Sequence, residues 1–284
     1  MHSCIKKTLL LFLVLAVFGF SHDSADGYVL QGPHVLDLMI RRLGTAKTLF
    51  VSQKLVLHDN DLQKNPVELQ ETVRYLFPEK FRSDLRSEQS QRIHVVSSGE
   101  SLTVIDGKVV YNYEMNFDLY KDIFLYRPRI LLQKRLLFLG VDVSVSSLGR
   151  FQNRLAYVVG SEYPDESVSQ VWIDKDTFQP FRWRMRSNTG QNADNALEVR
   201  YSKWRQVNKI WYPGHIEFFQ NDILVREMII DDIAVNVSFS DDFFDIARLR
   251  SMFPSIDSEV EKPQDSEAMT DVQKVIEDFK KSFE

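Results

Sequence analysis

From residue 47 to residue 239 apolar and polar residues alternate in short runs, and only one helical interruption breaks them. Period-two runs fall at 47–58, 67–77, 80–87, 91–97, 101–106 and 108–115, then at 154–162, 168–174, 179–187, 196–204, 209–219, 222–231 and 233–239. Turn-forming residues separate them: Asp106-Gly107, "YPDES" at 163–167, "NTGQNADN" at 188–195 and "QND" at 220–222. A chain of this kind buries one face of each strand in turn. The lack of a helix recurring between successive strands argues against a parallel α/β enzyme, and one large antiparallel sheet is expected.

Helical spacing occurs in three places. "GPHVLDLMIRRLG" (32–44) has Pro33 in a first turn, Gly44 at the exit, and a stripe of Val35, Leu36, Met39 and Leu43. "PRILLQKRLLF" (128–138) again opens on a proline. "MTDVQKVIEDFKKSF" repeats Met269, Val272, Val275, Ile276, Phe279 and Phe283, which predicts an amphipathic helix over 269–284. It follows a polar, acidic stretch at 255–268 that reads as a linker.

The strands also show sidedness. In "GESLTVIDGKVVYNYEMN" (99–116) Asp106-Gly107 closes a hairpin that puts Leu102, Val104, Val109, Tyr111 and Tyr113 on one face. A hairpin cannot cover so broad an apolar face alone. In "QPFRWRMRS" (179–187) Phe181, Trp183 and Met185 alternate with Arg182, Arg184 and Arg186. The arginines read as a solvated outer face, paired across strands with carboxylates such as Glu198, rather than as an anion site.

The first 21 residues differ from the rest. "MHSCIKK" is basic, "TLLLFLVLAVFGF" is apolar, and Gly19 and Ser21 are small residues where a signal peptidase needs them. The expectation is a signal peptide over 1–21, a folded domain over 22–254 and export to the periplasm. Cys4, the single cysteine, would leave with the leader, so neither a disulfide framework nor a cysteine metal site is expected. The chain carries −5, and losing Lys6 and Lys7 takes it to −7, a poor match to nucleic acid.

Motifs of catalysis are not found in the sequence. The six histidines (2, 22, 34, 58, 94, 215) have no ligand spacing, and GxSxG, P-loop and GxGxxG patterns do not occur. Asp231-Asp232 and Asp241-Asp242 read as turn-forming or solvated acids at strand ends. No cofactor and no metal site are expected, and the reading is non-enzymatic. Trp172, Trp183, Trp204 and Trp211 read as core aromatics.

Three stretches resemble the LolA/LolB-like fold of periplasmic lipoprotein carriers: "YLFPEKFRSDLR" (75–86), "SLTVIDGKVVYNY" (101–113), and 207–244, from "VNKIWYPGHIEFF" to "SFSDDFF". The resemblance implies a curled antiparallel sheet, an incomplete barrel of roughly eleven strands or more with a lid of a few helices. It implies an acyl-chain cavity lined by Leu102, Val104, Val109, Tyr111, Tyr113, Phe181, Trp183 and Met185, under a lid carrying Leu36, Met39, Ile130 and Leu131. It further implies transport of an acylated lipoprotein or lipid between inner and outer membranes. In one respect the chain departs from the carriers, which place an arginine immediately before the proline that here is Pro78; here the residue is Phe77. The alternative reading is a sensor or envelope-assembly subunit that contacts a protein partner, with the C-terminal helix as the contact.

Overall fold

The computed structural model describes residues 29–58, 66–88, 90–186 and 196–254. The expected signal peptide, the acidic linker and the expected C-terminal helix lie outside the described residues.

Thirteen strands form one antiparallel sheet. Its N-terminal half is a meander: β1 (Thr48–Leu57), β2 (Val67–Leu76), β3 (Lys80–Arg86), β4 (Gln91–Ser97), β5 (Glu100–Ile105) and β6 (Lys108–Tyr111). The C-terminal half comprises β7 (Ser146–Phe151), β8 (Arg154–Val159), β9 (Gln170–Asp174), β10 (Pro180–Arg186), β11 (Ala196–Ser202), β14 (His215–Gln220) and β15 (Ile223–Val235). β12 (Arg205–Val207) and β13 (Ile210–Tyr212) make a separate small hairpin. The spatial order is β6-β5-β4-β3-β2-β1-β15-β14-β11-β10-β9-β8-β7. The first and last long strands therefore meet in the middle of the sheet, from Leu49 opposite Val235 to Leu57 opposite Arg226. β6 and β7 do not pair with each other, so the curled sheet stays open.

The expected strands are present, with local differences. Residues 223–235 run as one long strand instead of two, so Asp231-Asp232 lies within a strand. Pro213-Gly214 splits the expected 209–219 run into β13 and β14, because proline withdraws a ladder donor there. β7 was not marked by the alternation, since "SSLGRF" carries few apolar residues.

α1 (Gly32–Leu43) forms where the stripe predicts it, and Val35, Leu36, Met39 and Leu43 are all fully buried. It ends at Gly44, whose φ of 83° suits a residue without Cβ. Between the two halves of the sheet come a 3₁₀ turn (Asn116–Lys121), the single-turn α2 (Asp122–Leu125) and α3 (Arg129–Phe138). After β15 a 3₁₀ turn over Asp241–Phe244 leads into α4 (Ile246–Met252). Asp245 caps α4 by accepting a hydrogen bond from the Arg248 amide. α4 covers the outer face of the N-terminal half, where Ile246 and Leu249 pack on Val95, Leu102 and Val104.

Among the described residues no helix is long and apolar enough to cross a membrane.

Candidate binding site: the concave face and its inner segment

The concave face of the sheet is divided chemically. Across the C-terminal half it is apolar: Tyr157, Val159, Val171, Ile173, Trp183, Met185, Leu197, Val199, Ile216 and Phe218 belong to one buried cluster. Across the N-terminal half, apolar positions such as Val51, Val73 and Phe81 alternate along the strands with buried polar ones. Gln53, Glu71, Ser83, Arg92, His94 and Thr103 are all at most 7% exposed.

The segment after β6 fits this division. Phe117, Tyr120 and Phe124 lie over the apolar half. The Phe117 and Tyr120 rings meet Phe218 edge-on at 5.8 and 5.7 Å, and Phe124 meets Tyr201 and Tyr212 at 5.3 and 5.1 Å. Tyr201 donates to the Tyr120 carbonyl at 3.0 Å. The acids and bases of the same segment face the polar half. Asp118 accepts from Arg92 at 2.6 Å and stands 4.0 Å from Nε2 of His94, whose Nδ1 is 2.9 Å from the Thr103 hydroxyl. Lys121 has no exposed side-chain surface; it bonds Glu114, Asp122 (3.0 Å) and the Asp118 carbonyl (3.0 Å). Arg135 of α3 closes the cluster on Asp122 at 2.6 Å and Glu114 at 2.5 Å. The interior of the curl is thus filled by the chain's own segment 114–126, pinned by ion pairs to α3 and to β4.

Burial and charge set the protonation states. Burial works against the Lys121 ammonium, but Asp122 and Glu114 outweigh it and hold its pKa above the usual lysine value. Burial likewise opposes the Asp118 charge, and Arg92 and His94 together reverse that, keeping its pKa below the usual range. Burial pushes His94 down to about 4, helped by the nearby Arg92 and Lys121 cations, so it is neutral at pH 7. Glu71 accepts from Gln53 at 2.7 Å and Ser83 at 2.5 Å, which satisfies a carboxylate deep in the sheet.

Phe77, the residue before Pro78, carries the Arg127 guanidinium 4.8 Å over its ring. Arg127, from the connection between α2 and α3, also donates to the Gly44 carbonyl at 3.1 Å. Burial lowers its pKa to about 10. One cation therefore ties the end of α1 to the inner segment and to the sheet.

The residues expected in the cavity are divided by the structure. Trp183 and Met185 face the interior. Leu102, Val104 and Val109 lie on the outer face, packed with Val95 and α4. The inner positions of β5 are instead the small polar Ser101 and Thr103, which fit the polar strip. The Tyr111 backbone pairs with Thr103, and its side chain lies outside what is described. Tyr113 is half-buried beyond the end of β6. Phe181 is displaced by a bulge: Pro180 pairs with Ile173 and Arg182 with Trp172, which leaves Phe181 as an extra residue. It joins an outer cluster with Ala156, Val158 and Trp172.

Of the expected lid residues, Leu36 and Met39 are fully buried and Leu131 packs partly against the core. Ile130 does not face inward. It is 62% exposed and lies with Leu137 and Phe138 on the outward surface of α3, while Leu132 and Leu136 take the inward one.

The arginine ladder is outer but not solvated. Arg182 forms a two-bonded pair with Glu166 at 2.7 and 2.8 Å and bonds Glu198 at 2.7 Å. Its guanidinium lies 4.2 Å from the Phe151 ring and 5.1 Å from Trp172. The 163–169 connection, which supplies Glu166, covers it.

Neither a family model nor a curated protein sequence matches this chain. Solved structures do. A LolA superfamily protein from Nitrosomonas europaea superposes with a TM-score of 0.54 at 11% identity, covering 78% of this chain and 100% of its own. A putative outer membrane lipoprotein-sorting protein domain from Vibrio parahaemolyticus gives 0.51 at 9% identity, covering 77% and 97%. A DUF1329 family protein from Desulfovibrio piger gives 0.51 at 11%, covering 78% and 100%. The chain has the LolA-like fold.

Proposed function

We propose that this protein is a non-catalytic, exported carrier that binds the acyl chain of a lipid or lipoprotein on the apolar half of its concave face. The supporting observation is that an open, apolar trough is closed by a removable-sized segment, residues 114–126, rather than by a second sheet. Each methylene taken from water contributes about 0.8 kcal/mol, so a palmitoyl-length chain gains on the order of 10 kcal/mol from burial. Displacing Phe117, Tyr120 and Phe124 alone would lose about 5–9 kcal/mol, at about 1.5–3 kcal/mol for each large side chain, while Leu119, Ile123, Leu125 and Tyr126 of the same segment are buried as well. An exchange confined to those three rings would run at small net cost, which a carrier needs for release. The outward Ile130, Leu137 and Phe138 of α3 would move with the segment through the Arg135 ion pairs. The basic, apolar N-terminus supports the periplasm as the location.

The filled interior favours a second reading, in which the same fold carries no lipid and contacts an envelope protein as a sensor or assembly subunit. Mass spectrometry of lipids that co-purify from native periplasm, with titration of a fluorescent fatty acid, separates the two. Bound acyl lipid and saturable uptake are expected of the carrier. A lipid-free protein that takes up no fatty acid would overturn it in favour of the partner-binding reading.

A further inference from the structure

On the outer face of the sheet, away from the interior, two imidazoles converge on one carboxylate. Nε2 of His58 is 2.6 Å from one oxygen of Glu227, and Nε2 of His215 is 2.7 Å from the other. Glu217 lies directly opposite Glu227 across the β14–β15 ladder, and its carboxylate is 4.0 Å from Nδ1 of His215. His58 and Glu227 are 169 residues apart in sequence, and their shared position arises because β1 and β15 pair at the middle of the sheet. This separation is why histidine spacing alone pointed to no metal.

We infer that His215, Glu217 and Glu227 form a binding site for a borderline transition-metal dication of the Zn²⁺ class, with His58 as the positioning partner of the Glu227 carboxylate. Donor atoms of His215, Glu217 and Glu227 lie within 4.8 Å of one another. Tetrahedral ligands roughly 2.0–2.1 Å from zinc stand about 3.3 Å apart, so the His215–Glu227 pair, now at 2.7 Å, needs to open by about 0.6 Å while Glu217 closes in from within 4.8 Å. One imidazole nitrogen with two carboxylate oxygens is a donor set that zinc accepts, and the imidazole is a ligand that calcium and magnesium do not favour. His58, 2.6 Å from the other Glu227 oxygen, holds that carboxylate in place from outside the ligand set. Two carboxylates directly opposite on neighbouring strands repel unless a cation stands between them. The nearby cations are engaged elsewhere: Arg200, opposite Glu217, bonds Glu198 at 2.6 Å and lies 3.9 Å from the Phe219 ring, and Lys54 pairs with Glu68 at 2.9 Å. The four side chains are 12–27% exposed, within reach of an ion from solution yet held by strands.

The test is titration of the tag-free full chain with ZnCl₂ at neutral pH against a chromophoric chelator, and with Co²⁺ followed by its visible absorption. One ion per chain and a tetrahedral Co²⁺ spectrum are expected, unaffected by excess Ca²⁺ or Mg²⁺. H215Q, E217Q and E227Q, each removing a ligand, should weaken binding by more than ~10-fold. H58Q, at a strand end where folding depends on it least, should also weaken binding, whereas H34Q on α1 should not. Failure of the full chain to bind zinc, or wild-type affinity in H215Q, E227Q or H58Q, overturns the assignment.

Discussion

Acid should loosen this protein in a pH range set by one buried histidine. His94 is fully buried, with a pKa pushed down to about 4, whereas in the unfolded chain it titrates near the ordinary value of 6.5. Between those values the unfolded state takes up a proton that the folded state refuses. The stability contributed by neutral burial is therefore complete above about pH 6.5 and is lost as pH falls toward 4. Linkage gives a loss of about 2 kcal/mol between pH 7 and pH 5, and about 3 kcal/mol by pH 4. Asp118 and Glu114 favour its protonation, while Arg92 and Lys121 oppose it; burial decides the sum. Glu114 and Asp118 have lowered values themselves and contribute their own losses at lower pH, beneath most of this range. Urea midpoints measured from pH 7.5 to 5 for the wild type and His94→Gln isolate the term. The variant starts less stable, because Thr103 loses its imidazole partner, but its stability should fall about 2 kcal/mol less over the range. If the difference between the two proteins does not change with pH, the buried neutral histidine is not what acid attacks.

Arg182→Ala leaves buried Glu198 with Arg200 at 2.6 Å and without one of its two close partners, and should cost about 1.5–3 kcal/mol, read as a urea midpoint shift, although the sequence pattern marks Arg182 as a surface residue. Gly32→Ala forces a Cβ against the Val143 carbonyl oxygen, which is backbone and cannot swing away, so a loss of about 1–3 kcal/mol in thermal unfolding is expected. A chain ended at Ser255 keeps α4 and the bond from the Val109 amide to the Pro254 carbonyl, and should match the full chain in urea. One ended at Asp245 uncovers Val95, Leu102 and Val104 and should lose about 3 kcal/mol, from the burial of Ile246 and Leu249.

The strands and the open sheet were legible because alternation is local, and so was α1, whose stripe of Val35, Leu36, Met39 and Leu43 needs no tertiary information. What covers each face was not. The inner segment 114–126 mixes Phe117, Tyr120 and Phe124 with Asp118, Lys121 and Asp122, a composition with neither a clean helical stripe nor strand alternation. Its charges are buried only because Arg92, His94 and Arg135 arrive from other elements. The same holds for Leu102 and Val104. Alternation correctly put them on one face, but β5 has two buried faces, and only the position of α4 says which is inner.

The bulge at Phe181 shows how narrow the margin is. Sequence alternation assigns Phe181, Trp183 and Met185 to one face, and a single unpaired residue moves the first to the opposite side while leaving the other two in the core. The exchange is favourable because both sides are apolar there. Outward, Phe181 finds Trp172 at 6.4 Å and the Arg154 guanidinium at 4.3 Å. Inward, the position passes to residues already buried in the main cluster. A strand whose outer face were wet could not accept such a bulge, since it would strand a phenyl ring in water at about 2 kcal/mol. The arginine ladder and the aromatic patch beneath it are therefore one construction. Phe151, Trp172 and Phe181 supply an apolar floor, Arg182 lies flat against it, and Glu166 and Glu198 neutralise what that floor cannot.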